Sequence, residues 1–219
     1  MKTAVCISGQ LRTLEFLPNL VEKIITPLGA DVFIDSWITN DVNVHNVISL
    51  LRPKMVHLED MNDAPLTHQI RCSLPAQVID YNGNEAHEIK KVENVPFMWY
   101  KIWRCNELMH QYEKHNRIRY DRVVRLRTDI TVRQMPNIIP EVKTLYIPAG
   151  NDHRNGICDL LALGNPQTMD LYCDLYNNVH RYMTLGFGFH PESLLRRHIE
   201  VNQLAVKRFE CNVGIRGWA

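Results

Sequence analysis

Residues 3–9, TAVCISG, form an apolar run without the polar–apolar alternation of a strand wetted on one face. Such a run suits a strand buried on both sides, as in a parallel sheet packed between helices. The next segment changes period. Leu17, Leu20, Val21, Ile24, Ile25 and Leu28 recur at helical spacing, with Pro18 acceptable only in the first turn. ADVFIDSW (30–37) then reads as a second strand ending β-like at Trp37, and VNVHNVISLLRP (42–53) as a second helix closed by Pro53. KMVHLED (54–60) and AQVIDY (76–81) read as further strands. Strand and helix taken in turn predict a right-handed, mostly parallel α/β unit.

The rest of the chain continues in the same manner. Met98, Ile102, Cys105, Met109 and Tyr112 mark one apolar stripe of a long helix, and a stripe of this kind is core. TLYIP (144–148) reads as a strand, and a polar loop, AGNDHRNG, leads into ICDLLALG (157–164). Asn165-Pro166 has the form of an N-cap and first-turn pair, and a glycine-rich LGFGFHPE precedes a last helix from about Pro191. No repeat or linker divides residues 1–219, so one domain is expected.

A 45% hydrophobic content supplies a substantial core, and a formal net charge of +1 gives no general pull towards nucleic acid or a membrane surface. The six cysteines are scattered without a CxxC pair, which suits buried thiols in a reducing compartment. The N-terminus has no signal-peptide pattern and no run is long enough to span a bilayer, so a cytoplasmic protein is expected.

Polar motifs stand at the ends of the apolar strands: SGQLR after the first, DSW after the second, DYNG near a later one, and RTD in YDRVVRLRTDITV (120–132). In open α/β sheets ligands bind outside the carboxyl ends of the strands, so these motifs would share one rim. Neither GxGxxG nor GxxxxGK[ST] occurs, which argues against a dinucleotide fold or a P-loop. Arg12 suits a phosphate, and the small Ser8-Gly9 pair would let backbone N–H groups approach an anion. Asp129 offers a hard oxygen ligand for Mg²⁺ or Mn²⁺ on a diphosphate. Arg125, Arg127 and Asp129 alternate, so a single strand would aim all three to one side. Each has a plainer reading: a solvated strand edge for the arginines, a turn for Asp129 and Asp80, a helix cap for Asp35, a helix start for His190.

ISGQLRT, ADVFIDSW, YDRVVRLRTDI and DLLALG, in that order, resemble a family of glycosyltransferases patterned SGQxR, DVFIxxW and RxRxD. More loosely they resemble a glycosyltransferase domain that large algal viruses use on their capsid protein, which would place it in host cytoplasm. The resemblance implies a single GT-A domain over 1–219, with a Rossmann-like nucleotide-sugar-binding half at 1–130 and an acceptor-side half at 131–219, which a longer chain could carry beside further domains. It implies transfer of a hexosyl group from a nucleotide sugar, UDP-linked, to a glycan or glycoprotein hydroxyl, with Mn²⁺ or Mg²⁺. By this resemblance Arg127-Thr128-Asp129 stands where many such enzymes carry Asp-x-Asp. Ser8, Gly9, Gln10, Arg12, Asp35, Asp80 and Arg127 would hold the donor, and Asp129 and His190 the metal. Asp159, or its rival Asp152, would act near the acceptor as general base in an inverting reaction, whereas a retaining reaction would need neither. Two alternatives stay open: a metal-dependent nucleotidyltransferase or phosphoesterase, and a non-catalytic nucleotide-sugar-binding module.

Overall fold

The computed structural model describes residues 1–11, 14–38, 43–60, 68–87 and 91–215. Seven strands form the main sheet: β1 (Thr3–Gln10), β2 (Asp31–Trp37), β3 (Met55–Glu59), β4 (Arg122–Leu126), β6 (Thr144–Pro148), β7 (Leu161–Gly164) and β8 (Ala205–Phe209). Their order is β3-β2-β1-β4-β7-β6-β8. β7 runs antiparallel to both β4 and β6, and the other neighbours are parallel. The mostly parallel α/β architecture expected from the apolar runs is therefore present. β5 (Ile130–Thr131) pairs with β9 (Gly214–Ile215) in a separate ribbon.

β1 shows why the unbroken apolar run matters: Ala4, Val5 and Ile7 are fully buried and Cys6 nearly so, because helices cover both faces. Pro18 falls in the first turn of α1 (Leu17–Leu20), where its missing N–H costs nothing. A π turn, Val21–Ile25, continues that helix into α2 (Thr26–Leu28), just ahead of Pro27, which has no N–H to give the regular ladder. Gly29, at φ +55°, ends it in the left-handed region. Asn43 caps α3 (Val44–Leu51) through His45 and Asn46 N–H, and α4 (His68–Ser73) is short.

The long helix α5 (Asn94–Asn116) lies along β1 and β2. Its Cys105 thiol donates to the carbonyls of Ile7 and Phe33, 3.6 Å away in each case, so the apolar stripe is core as its spacing indicated. Asn165 caps α6 (Pro166–Cys173) by accepting Thr168 N–H at 2.8 Å, and α7 (Leu175–Thr184) and α8 (Pro191–Val201) follow. All six cysteines are free thiols. No described helix is long and apolar enough to cross a membrane.

Three expectations need correction. β1 does not stop at Gly9 but pairs with β2 through Gln10. The segment 76–81 contributes only an isolated bridge, Ile79 to Glu85, because the Asp80 carboxylate gathers Asn82 and Asn84 N–H into a turn. The strand expected over 120–132 breaks after Leu126, so Arg125, Arg127 and Asp129 do not share one face. β8 was not anticipated at all: it is an edge strand whose AVKRF is largely exposed, which leaves little apolar pattern to read.

Candidate active site at the carboxyl edge of the sheet

β1 and β4 are neighbours, yet the chain builds outward from β1 to β2 and β3 and only later returns on the other side to β4. Crossovers leaving a sheet in opposite directions open a crevice between them at the carboxyl ends of the strands. Ser8–Gln10 ends one wall and Arg127–Asp129 the other. Thr128 Oγ1 donates to Gln10 O at 3.2 Å, and Ser36 Oγ to Gly9 O at 2.7 Å, which ties the ends of β1, β2 and β4 together. Gly9 has φ +116°, a conformation that excludes other residues although the space beside it is open. Arg12 lies outside the described residues.

Beyond β4, Arg127 turns back on Asp129. Its Nε donates to Oδ1 at 2.8 Å and its Nη2 to Oδ2 at 2.6 Å, a two-pronged pair within three residues. The Asp129 side chain is 6% exposed and that of Arg127 24%, so the cation is the partner that reaches solvent. Burial works against the Arg127 charge, but the bonds to Asp129 and the field of Asp159 outweigh it and raise its pKa. Asp159, itself buried, thus belongs to the same neighbourhood.

Glu192 was not singled out by its sequence context, a first-turn acid of a surface-patterned helix. Its carboxylate accepts His153 N–H at 2.7 Å, and its backbone carbonyl accepts Ile157 N–H at 3.1 Å. Gly156 packs so closely that a Cβ there would lie 2.5 Å from the Glu192 backbone. Burial, then the charge of Asp159, push the Glu192 carboxyl up to about 8, against the pull of backbone N–H groups of His153 and Asp159. Two adjacent carboxyls, one kept protonated at neutral pH, are the raw material of proton transfer.

The other expected residues have different surroundings. Asp152 binds Arg208 through both oxygens, at 2.9 and 2.6 Å, and accepts Cys158 N–H at 2.9 Å. Asp80 serves its own turn; burial would raise its pKa, but the Asn84 and Asn82 bonds lower it. The loop at Gly188 abuts the Asp80 carbonyl, leaving no room for a Cβ. His190 is buried at the start of α8, its ring centroid 5.9 Å from that of His153.

Asp35 is fully buried and faces Lys101 of α5, equally buried, at 2.7 Å. The same ammonium bonds Glu59 at 2.6 Å and lies 4.1 Å from the Trp37 ring centroid. His57 Nδ1 is 3.0 Å from the other Asp35 oxygen. Burial raises the Asp35 pKa in spite of Lys101; burial acts the same way on Glu59, but there the Lys101 bonds win and lower it. Among the described residues, Asp35, His57 and Glu59 are the one group of three whose ligand atoms lie within 4.8 Å of one another, a candidate divalent-cation site. The cation bonded to both its carboxylates here is Lys101, which the apolar reading of α5 passed over.

No protein-family model matches this chain, and no curated protein does. Among solved structures it is similar to a proposed nucleotide-diphospho-sugar transferase from Desulfovibrio desulfuricans G20, at 11% identity and a TM-score of 0.41, over 96% of this chain and 80% of that one. At that TM-score the overlay carries no weight for the chemistry, which rests on the residues above.

Proposed function

We propose that this chain transfers a hexosyl group from a nucleotide sugar, UDP-linked, to a hydroxyl of a glycan or glycoprotein acceptor at the crevice between β1 and β4. The observation that supports this reading is the juxtaposition, at the switch point of the sheet, of an oriented cation and a carboxyl pair: Arg127 held by Asp129, with Asp159 and Glu192 beside it. Arg127 meets the charge that grows on the departing diphosphate, and Asp129 positions it. Asp159 takes the proton of the acceptor hydroxyl in an inverting reaction, and the protonated Glu192 steadies the charge beside it. Residues 1–130 carry the donor side and 131–219 the acceptor side.

The resemblance also implies Mn²⁺ or Mg²⁺, and the residues do not fit it as they stand. Arg127 bonds both oxygens of Asp129, the ligand expected first, and His190 joins no described group of three ligands with it. Lys101 holds both carboxylates of the other candidate group. Asp35 is taken by Lys101, Asp80 by its own turn and Asp152 by Arg208, which leaves Asp159 as the proposed base. No step is assigned to a metal. A nucleotidyltransferase or phosphoesterase would need clustered acids open to paired metals, and here Asp35 with Glu59, Asp129 and Asp152 each hold a protein cation.

A thermal-shift panel of UDP-, GDP- and CMP-sugars, with Mn²⁺, with Mg²⁺ and with EDTA, tests the proposal. Selective stabilisation by UDP-sugars is expected, because a ligand of the folded state raises Tm by mass action. Indifference to every nucleotide sugar under all three conditions would overturn it. Binding without turnover of any acceptor would leave only a binding module.

A further inference from the structure

Arg125 is 1% exposed, and among the described residues none of its three guanidinium nitrogens has a hydrogen-bond partner. The contrast within β4 is sharp. Arg122, also buried, donates to Thr3 Oγ1, Asn137 Oδ1 and Ile138 O. The fold therefore supplies acceptors to one buried guanidinium and not to the other.

The ladder gives the direction of the side chain. Arg125 pairs with Cys6 on β1, and directly opposed residues share a face. Cys6 bonds Cys105 of α5, so Arg125 lies under the helical layer rather than at the rim. Its charge is felt by Tyr172 and Cys173 of α6. Three further buried groups around this position have no partner: Tyr172 Oη, Trp99 Nε1, whose ring is 5.6 Å from that of Tyr172, and Ser8 Oγ, next but one to Cys6 on the same face.

The chemistry of the set is one-sided. A guanidinium and an indole N–H only donate, and the two hydroxyls can turn to donate. Asp159, and Asp170 with Glu107, are near enough to act on Tyr172 and Cys173, yet among the described residues none of them hydrogen-bonds the Arg125 guanidinium. The closer groups bring no charge: the Cys105 bond and burial for Cys6, and burial for Cys173 and Tyr172, keep them as thiols and a phenol. A lone water would have to place its own hydrogens among donors. An anion is the complement that a set of buried donors lacks.

We propose that Arg125, with Tyr172, Trp99 and Ser8, forms an internal site for a compact monovalent anion: a halide, or a carboxylate of formate or bicarbonate size. The site lies beneath the carboxyl edge and stands whether or not the crevice above takes a nucleotide sugar.

The test replaces sodium gluconate stepwise by chloride, bromide, formate or bicarbonate at constant ionic strength, following Tm of the full chain. A saturable rise of about 5 °C or more is expected at large excess of anion, with none in Arg125→Met. Bromide-soaked crystals of the unaltered protein should show an anomalous peak at the Arg125 guanidinium, which decides the matter even if Arg125→Met does not fold. Saturation by formate and bicarbonate alone would assign the site to carboxylates, and saturation by chloride and bromide to halides. A Tm indifferent to anion identity with no bromide peak at Arg125, or a Tm raised equally in all salts by Arg125→Met, would overturn the site.

Discussion

Arg127 and Asp129 exchange the roles that their spacing suggested. An arginine two residues before an aspartate on a continuous strand points beside it, and both would then face a diphosphate together. The chain bends after Leu126 instead, and the carboxylate becomes the support of the guanidinium. Asp129→Asn keeps one bond to Arg127 and loses the charge. A charged hydrogen bond contributes roughly 1.5–3 kcal/mol, so kcat/KM for UDP-sugar is expected to fall about 10- to 100-fold, with Tm lowered by a few degrees. Steady-state kinetics and calorimetry of the variant check this, and unchanged kinetics would remove Asp129 from the site. Asp159→Asn should instead lower kcat with KM little changed, since a general base acts in the transition state.

Among elements, α5 joins sheet and site. Its Lys101 is enclosed by Asp35, Glu59 and the Trp37 ring, so Lys101→Met leaves Asp35 as a buried carboxylate with only His57 beside it. Removing one partner of a buried pair costs roughly 3–5 kcal/mol, and denaturant titration should show that loss. Adding Asp35→Asn should recover much of it. Single and double variants of equal stability would mean that the pair is not coupled. This element also shows what the sequence could disclose. The apolar runs of β1 and β2 and the stripe of α5 were legible because burial on known faces imposes a period. Lys101 was not, since a charge inside a helical stripe reads as a solvated neighbour until its partners on β2 and β3 are in place. Glu192 is the same case: its raised pKa comes from Asp159 and the 153–159 loop, which sequence spacing cannot bring together. The 76–81 segment has a strand's pattern but not its ladder, because the Asp80 side chain caps the backbone that a neighbouring strand would otherwise pair.

For the whole molecule, two groups far apart make stability fall as pH rises. Asp170, and then Glu113, raise the His110 pKa to about 9 from 6.5, against burial. The folded state holds that proton more tightly, so its contribution is complete below about pH 6.5 and lost as pH passes through about 9, at most about 3 kcal/mol. Glu192, raised from 4.5 to about 8, works in the same direction over a lower window: full stability below about pH 4.5, declining up to about pH 8. Urea titrations from pH 5 to 9 should show a steady loss; Glu192→Gln should flatten its lower part and His110→Gln its upper part. A stability profile level across that range would contradict both assignments. The central claim is that the β1–β4 crevice presents Arg127 to a nucleotide diphosphate, and calorimetric titration of UDP-hexose into the unaltered protein and Arg127→Gln tests it most directly. One-site binding that weakens about 10-fold or more in the variant, with both proteins folded by their Tm, is the result predicted. Equal affinity in the two proteins, or no binding to either, would contradict it.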